Sequence, residues 1–436
     1  MVDRRLRLRA VGLPFLAALG VLVLLETAVR FDGRRRPTLD AEAREYVRLA
    51  VALGERDPDS LDFYAGPADL VADVRSHPPA LADIQRSADA ALARLEGTTV
   101  APEQVSRRQH LIRELRALRT RAALLLGQRP PYDVESEALF GAIPGRPDDR
   151  RFAQIRSRVD NLVPAAAGRL VDRYAAYEKQ FIVERERVPA VFARALAECR
   201  RRTIAHVHLP LDETSTVEYV GNRPWGAYSR YQGKRHSVIS VNTDFRFTVD
   251  RLLQTACHEG YPGHHVRNVL REAAHPGELE YTVQPLFSPD TFVAEGSAMY
   301  AAEIAFSEAD RMAFVHDDLF PAAGIDGEDA ARYLRIARLV GDLQEIQVEI
   351  ARKYLNGELE FVRAASALED EALMRETAPT LKYINEFRSY VTAYTTGRQA
   401  AVAAVDACAG PDDRERRWKC FERLLTADAE IALPRE

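Results

Sequence analysis

The sequence predicts a mainly α-helical fold with a small antiparallel β-sheet beside a histidine-rich helix. Over most of the chain, apolar residues recur at three- and four-residue spacing, as in Leu81–Leu95 and Pro102–Leu126. This spacing is typical of amphipathic helices. Between Ala205 and Asn242 the composition changes to short β-branched segments separated by the turn-rich segment Gly221–Gly226. That texture is typical of strands joined by turns.

The first 30 residues differ from the rest of the chain. Four arginines within residues 4–9 precede an uncharged, almost wholly apolar run from Ala10 to Leu25. This pattern predicts that residues 1–30 are a signal peptide or an N-terminal membrane anchor. We expect export, with the segment retained as a membrane anchor in the cell envelope. An ordinary cleaved signal peptide is the alternative.

The remaining chain has one candidate boundary between two regions. The chain has 436 residues and a net charge of −5, which suits one large or two ordinary domains and gives no indication of a nucleic-acid partner. Gln128–Asp149 is rich in proline and glycine. We therefore predict an N-terminal helical region, residues 31–150, and a larger region, residues 151–436, that contains the histidine motif.

Further helices are predicted from Asp40 to Gly54, from Pro67 to His77, and from Arg151 to Arg201 with an interruption at Val163–Pro164. Strands are predicted at Val217–Val220 and Ser237–Asn242. The second strand lies just before the histidine motif, where a zinc peptidase commonly has the edge that pairs with an extended substrate. A plain structural hairpin is an equally supported interpretation.

The segment from Cys257 to His265 contains three histidines and one glutamate within eight positions. Imidazoles and a carboxylate in such proximity are what a catalytic Zn²⁺ site requires. On an unbroken helix neither His264 nor His265 could share a metal with His258, because one would point away and the other would lie too far along the axis. Pro262–Gly263 interrupts the helix. We therefore predict a kink or bulge that brings His264 or His265 level with His258.

The third metal ligand is predicted to be Glu295. It lies among small residues on a helical segment, so a neighbouring helix can approach closely. Glu303, two turns further along, is a candidate for orienting a ligand histidine. Glu259 remains as the general base, since it adjoins a ligand histidine and can take the proton of the attacking water. A charged surface helix is the alternative interpretation for this segment.

Hydrolysis of an amide also requires a group that stabilises the oxyanion. The segment from Tyr390 to Arg398 offers phenols and a guanidinium. Tyr394 is the candidate catalytic donor, and Arg398 is a candidate substrate-binding residue for a substrate carboxylate. Core aromatic residues of a late helix are an equally supported interpretation.

The four cysteines give a modest indication of compartment. Cys408 and Cys420 are close in sequence and are predicted to form a disulfide if the protein faces an oxidising environment. Cys199 and Cys257 are expected to be buried small apolar residues.

These motifs resemble those of a bacterial family, the zincin-like family known as domain of unknown function 885. The resemblance covers residues 128–399 and consists of an H-E-x-x-P-G-H-H type motif at His258–His265, an E-G-x-A-x-Y element at Glu295–Tyr300 and a Y-x-x-G element at Tyr394–Gly397. It implies a mostly helical, zincin-like catalytic region with His258, His264 and Glu295 as zinc ligands and Glu259 as the base. The chain departs from the family at Ser297, where a tryptophan is common, and at Glu303, which falls one residue late.

The sequence thus predicts a zinc-dependent metallohydrolase, most readily a peptidase that acts on peptides or small amides. An amidase acting on a non-peptide substrate is one alternative. A non-catalytic envelope protein that binds a metal or ligand is another.

Overall fold

The computed structural model describes residues 38–410 and 413–426, and these residues are mostly helical. The predicted fold class is confirmed. The segment predicted to be a signal peptide or anchor lies outside the described residues. None of the described helices is long and apolar enough to cross a membrane.

The N-terminal part is a group of four helices with its own apolar core. Its helices are α1 (Leu39–Arg56), α2 (Ala68–Ser76), α3 (Leu81–Glu96) and α4 (Val105–Leu125). The Thr38 side chain accepts a hydrogen bond from the Ala41 amide and so caps the start of α1. Buried side chains of α1, α3 and α4, among them Tyr46, Leu92 and Leu115, pack into one cluster that also includes Val283.

The rest of the chain forms a larger helical body around a second apolar cluster, which extends from Leu124 to Leu425. Its helices are α5 (Tyr132–Phe140), α6 (Asp149–Leu162), α7 (Leu170–Glu178), α8 (Val188–Ile204), α9 (Val249–Glu259), α10 (His264–Ala274), α11 (Pro289–Ala305), α12 (Glu308–Phe314), α13 (Phe320–Ala323), α14 (Ala330–Leu343), α15 (Ile346–Leu355), α16 (Phe361–Ala372), α17 (Thr377–Phe387), α18 (Val391–Ala409) and α19 (Arg414–Thr426). The predicted interruption at Val163–Pro164 falls between α6 and α7. The predicted domain boundary at residue 150 stays a prediction.

Two small sheets lie beside the histidine helices. Strands β1 (Leu61–Tyr64) and β5 (Val283–Pro285) form an antiparallel pair. Strands β2 (Thr214–Val220), β3 (Ala227–Tyr231) and β4 (His236–Asn242) form a second sheet in the order β2-β4-β3. In this sheet β3 pairs antiparallel with β4, and β2 pairs parallel with it.

The sheet order corrects one expectation. Of the two interpretations of the strand before the histidine helix, the edge that pairs with substrate is wrong, because this strand, β4, is central and both of its sides are occupied. Its hydrogen-bonding groups are therefore committed to β2 and β3. The edges are β2 and β3.

The long helices α11 and α18 cross at two glycines. A side chain on Gly296 would bring its first carbon within 3.0 Å of the Gly397 main chain, and a side chain on Gly397 would come equally close to the carbonyl oxygen of Phe292. Only residues without a side chain allow the two backbones to approach so closely. This contact brings α18 against the part of α11 that contains Glu295.

Candidate metal centre

The break in the histidine helix is sharp. Helix α9 ends at Glu259 and α10 begins at His264, and the amide of Gly263 donates to the carbonyl of Cys257 at 3.0 Å. A side chain on Gly263 would overlap the carbonyl oxygen of His258, so the chain can fold back here only at a glycine. The break turns α10 so that His264 faces His258.

Three side-chain atoms converge at this break. The Nε2 atoms of His258 and His264 are 3.1 Å apart, and Oε2 of Glu295 lies 3.4 Å from the first and 3.6 Å from the second. Ligand atoms placed tetrahedrally around Zn²⁺ at 2.0–2.1 Å are separated by about 3.3 Å. The three atoms therefore have the spacing of a zinc-binding face. The structure thus brings together the residues predicted as metal ligands.

The fourth group of the cluster is Glu259. One possible ligand atom each of His258, Glu259 and His264 lies within 4.8 Å of the others. Both glutamates are thus close to the two histidines. The short distances from Glu295 to both imidazoles fit a ligand, whereas Glu259 is held in part by a hydrogen bond from the backbone amide of Ser229.

The two oxygens of the Glu295 carboxylate have different surroundings. The Tyr390 phenol donates to Oε1 at 2.8 Å, but Oε2 is buried without a hydrogen-bond partner among the described residues. Burial alone would raise the pKa of Glu295, but attraction to His264 and His258 holds it well below its ordinary value. A buried, ionised and unpaired oxygen aimed at two imidazoles fits a cation.

The environment of Glu259 favours a proton carrier. Its side chain is almost fully buried, and burial raises its pKa to about 7, while attraction to His258 lowers it. Repulsion from Glu295 adds to the rise. A divalent cation at the adjoining ligands would favour the charged, proton-accepting form.

His264 and His265 have different contacts, and His264 is the one that faces His258. His265 is fully buried and points away from His258. Its Nδ1 lies 2.8 Å from Ser237 Oγ and its Nε2 lies 2.8 Å from Glu213 Oε2. Burial would raise the pKa of Glu213, but its hydrogen bonds to His265, Arg200 and Tyr261 lower it to about 2. His265 therefore anchors the start of α10 and leaves His264 to face His258.

The predicted oxyanion donor, Tyr394, lies in the same group of phenols as Tyr390. Their rings meet edge to face with centroids 5.4 Å apart, and the Tyr394 hydroxyl is hydrogen-bonded to that of Tyr383. Burial raises the pKa of Tyr394 well above its ordinary value, and repulsion from Tyr383 and Glu295 adds to this effect. The phenol is thus a protonated donor close to the glutamates of the metal centre.

Arg398 and Glu303 form an ion pair with each other. The Arg398 guanidinium donates to Glu303 Oε1 at 2.8 Å through Nε and reaches the same oxygen at 2.6 Å through Nη2. The predicted role of Glu303 in orienting a ligand histidine is therefore wrong. A contact between Arg398 and a substrate carboxylate would require Arg398 to leave this pair.

Two residues of the centre were not anticipated from the sequence. Tyr390 orients Glu295, and Asp62 of β1 interacts electrostatically with His264 and Glu295. Tyr390 belongs to a tyrosine-rich segment that pointed to the site, although the role was assigned to its neighbour. Asp62 has no local signal, because it comes from a strand far away in sequence.

The cysteines form two disulfides. The predicted Cys408–Cys420 bond is confirmed. Cys199 and Cys257 are buried as expected, but the disulfide between them was not predicted: Cys199 of α8 is bonded to Cys257 of α9, the residue before His258. Two disulfides with no free cysteine among the described residues indicate an extracellular or periplasmic protein.

Comparisons with known proteins give only distant structural likenesses. No family model and no curated protein matches the chain. Metallocarboxypeptidase 1 of Trypanosoma cruzi is 14% identical over 88% of each chain, with a TM-score of 0.47. A proposed lipoprotein of unknown function from Shewanella oneidensis is 11% identical over 82% of this chain and 76% of that one, with a TM-score of 0.42. Likeness at this level does not identify a function.

Proposed function

We propose that the protein is a zinc-dependent hydrolase that cleaves peptide bonds. The observation that carries the proposal is the triangle formed by His258, His264 and Glu295, whose edges of 3.1–3.6 Å fit tetrahedral zinc, with Glu259 beside it. Calcium and magnesium prefer all-oxygen sites, so two imidazoles favour zinc.

The chemistry can be divided between the metal and the side chains. Zinc, when bound, acidifies a water molecule and polarises a carbonyl group. Glu259 takes the proton of the attacking water and passes it to the nitrogen of the leaving amine, so the proton count balances. Tyr394 donates a hydrogen bond to the oxyanion that develops on the carbonyl oxygen. Tyr390 keeps Glu295 oriented by binding its outer oxygen.

The proposal also covers the family and the location of the protein. The resemblance of the three motifs to the domain of unknown function 885 family supports membership in that family. The disulfides support an exported protein, and the arginine-flanked apolar run at residues 10–25 supports retention at the membrane of the cell envelope.

The first test is metal content. We expect about one zinc per chain by elemental mass spectrometry of the purified protein. Glu295→Gln should lose most of it, because the substitution removes the anionic ligand. Glu303→Gln is the matched control and should keep its zinc, since Glu303 pairs with Arg398 instead. Absence of zinc from wild-type protein prepared without chelator would contradict the proposal.

The second test separates an enzyme from a binding protein. Glu259→Gln should retain zinc and lose hydrolysis of a peptide library by about 100-fold or more, since the general base is removed. If the wild-type protein binds zinc but cleaves neither peptides nor simple amides, the proposed hydrolase function fails.

A further inference from the structure

Asp62 of strand β1 places a carboxylate near the metal centre. In the β1–β5 pair Leu61 lies opposite Pro285 and Phe63 opposite Gln284, so Asp62 is an extra residue without a partner in the ladder. Such a bulge redirects a side chain, and bulges are frequent beside active sites. The bulge therefore gives Asp62 a direction that a regular strand would not.

The Asp62 carboxylate shares the electrostatic environment of the predicted ligands. Burial raises its pKa to about 6, attraction to His264 lowers it, and repulsion from Glu295 raises it. Glu259 is in turn repelled by Asp62. The Asp62 carboxylate is therefore within electrostatic range of His264 and of both glutamates.

This carboxylate has few partners of its own. The Tyr228 phenol donates to the main-chain carbonyl of Asp62 at 2.6 Å and is also within hydrogen-bonding reach of the carboxylate. A phenol has one proton, whereas a carboxylate accepts about four hydrogen bonds. Among the described residues no lysine, arginine or histidine forms an ion pair with Asp62. A shielded carboxylate in this condition favours a cationic partner.

The charge balance of the site points the same way. Asp62, Glu259 and Glu295 contribute three carboxylates to the site, and when all three are ionised their charge exceeds the two positive charges of a zinc ion. The guanidinium group of Arg267 also lowers the pKa of Asp62, but Arg267 is bound to Asp290 at 2.7 Å. A site with an excess of negative charge attracts cations and repels carboxylates.

We infer that Asp62 binds the α-ammonium group of the substrate, so that the metal centre acts on peptides and amides with a free amino terminus. The inference rests on the proposed hydrolase function. An ammonium group supplies three donors, which would satisfy the free lone pairs of the carboxylate. Cleavage would then occur near the amino end of the substrate.

The experiment compares trialanine with N-acetyl-trialanine, which differ at the amino terminus and share the same carboxylate. The zinc-loaded full-length protein is assayed at pH 8 for kcat/KM on both peptides. Binding of both peptides to the zinc-loaded Glu259→Gln protein is measured in parallel by calorimetry. Asp62→Asn, with Asp62→Ser as a second removal of the charge, is examined in both assays. Asp69→Asn is the control, because Asp69 is an exposed carboxylate of the same region.

We expect the wild-type protein to prefer trialanine by about 10- to 100-fold, the range of a charge-assisted hydrogen bond. Asp62→Asn and Asp62→Ser should bring the ratio between the peptides towards one, and Asp69→Asn should leave it unchanged. Equal kcat/KM values of the wild-type protein for both peptides would overturn the inference. So would a preference that survives in both Asp62 variants, or a parallel loss for both peptides in those variants.

The two assays distinguish failure of the ammonium site from failure of the proposed hydrolase function. If the peptides are hydrolysed but the ratio of their kcat/KM values does not depend on Asp62, the hydrolase function is supported and the ammonium site is contradicted. If trialanine binding depends on Asp62 but the wild-type protein does not hydrolyse the peptide, the ammonium site is supported and the hydrolase function is contradicted. Absence of both hydrolysis and binding would contradict both the ammonium site and the hydrolase function.

Discussion

At the scale of single residues, the metal centre depends on a phenol as well as on its ligands. Tyr390 donates to the Glu295 oxygen that faces away from the histidines. Groups that orient a metal ligand typically contribute about 10- to 100-fold in metal affinity. Because Glu295 is buried, removal of this donor leaves one of its oxygens unpaired and allows the carboxylate to rotate.

Tyr390→Phe should therefore weaken zinc binding by about 10- to 100-fold while the protein stays folded. A competition titration against a zinc chelator measures this change. Tyr383→Phe is the matched control, because that phenol is bonded to Tyr394 and not to Glu295. Unchanged zinc affinity in Tyr390→Phe would show that the packing of α11 alone orients Glu295.

At the scale of secondary-structure elements, the contact between α11 and α18 limits which residues can stand at two positions. Gly296→Ala should lower the free energy of unfolding by about 1–3 kcal/mol, because the added carbon overlaps the Gly397 backbone. Urea unfolding followed by circular dichroism measures the change. Gly341→Ala in α14 is the control. No atom lies near its added carbon, so it should raise the stability by about 0.5–1 kcal/mol.

A second element contact holds the histidine helix itself. The Cys199–Cys257 disulfide closes a loop with a separation of 58 residues, and Cys408–Cys420 closes one of 12. Loop-closure entropy predicts stabilisation by about 4 kcal/mol for the first bond and about 3 kcal/mol for the second. The double variants Cys199→Ala/Cys257→Ala and Cys408→Ala/Cys420→Ala, compared by thermal unfolding, test this order. If the two pairs reverse in effect, constraint of the unfolded chain is not the main contribution.

At the scale of the whole molecule, the sequence predicts well what local patterns determine. The helical spacing, the break at Pro262–Gly263 and the composition around Glu295 are local features, and each has its counterpart in the structure. The Cys408–Cys420 bond was also predictable, because its cysteines are close in sequence.

What could not be predicted depends on contacts between distant segments. Cys199 meets Cys257 only because α8 packs on α9, and β4 becomes central only because β2 adds to it in parallel. Asp62 reaches the metal centre through β1, which pairs with β5 of the C-terminal half. Such contacts leave no periodic signal in a single sequence, since they depend on how the elements assemble.

The buried contacts of His265 have a consequence for recognising enzymes by shape. Ser237, His265 and Glu213 form the hydroxyl–imidazole–carboxylate chain of a serine hydrolase, with the two ring nitrogens exchanged and both links at 2.8 Å. Ser237 and His265 are nevertheless sealed from solvent, so no substrate carbonyl can approach the hydroxyl. A geometric template that ignores which ring nitrogen contacts which partner would accept this chain as a nucleophilic triad. The exchanged nitrogens and the lack of solvent access distinguish this structural contact from a reactive triad.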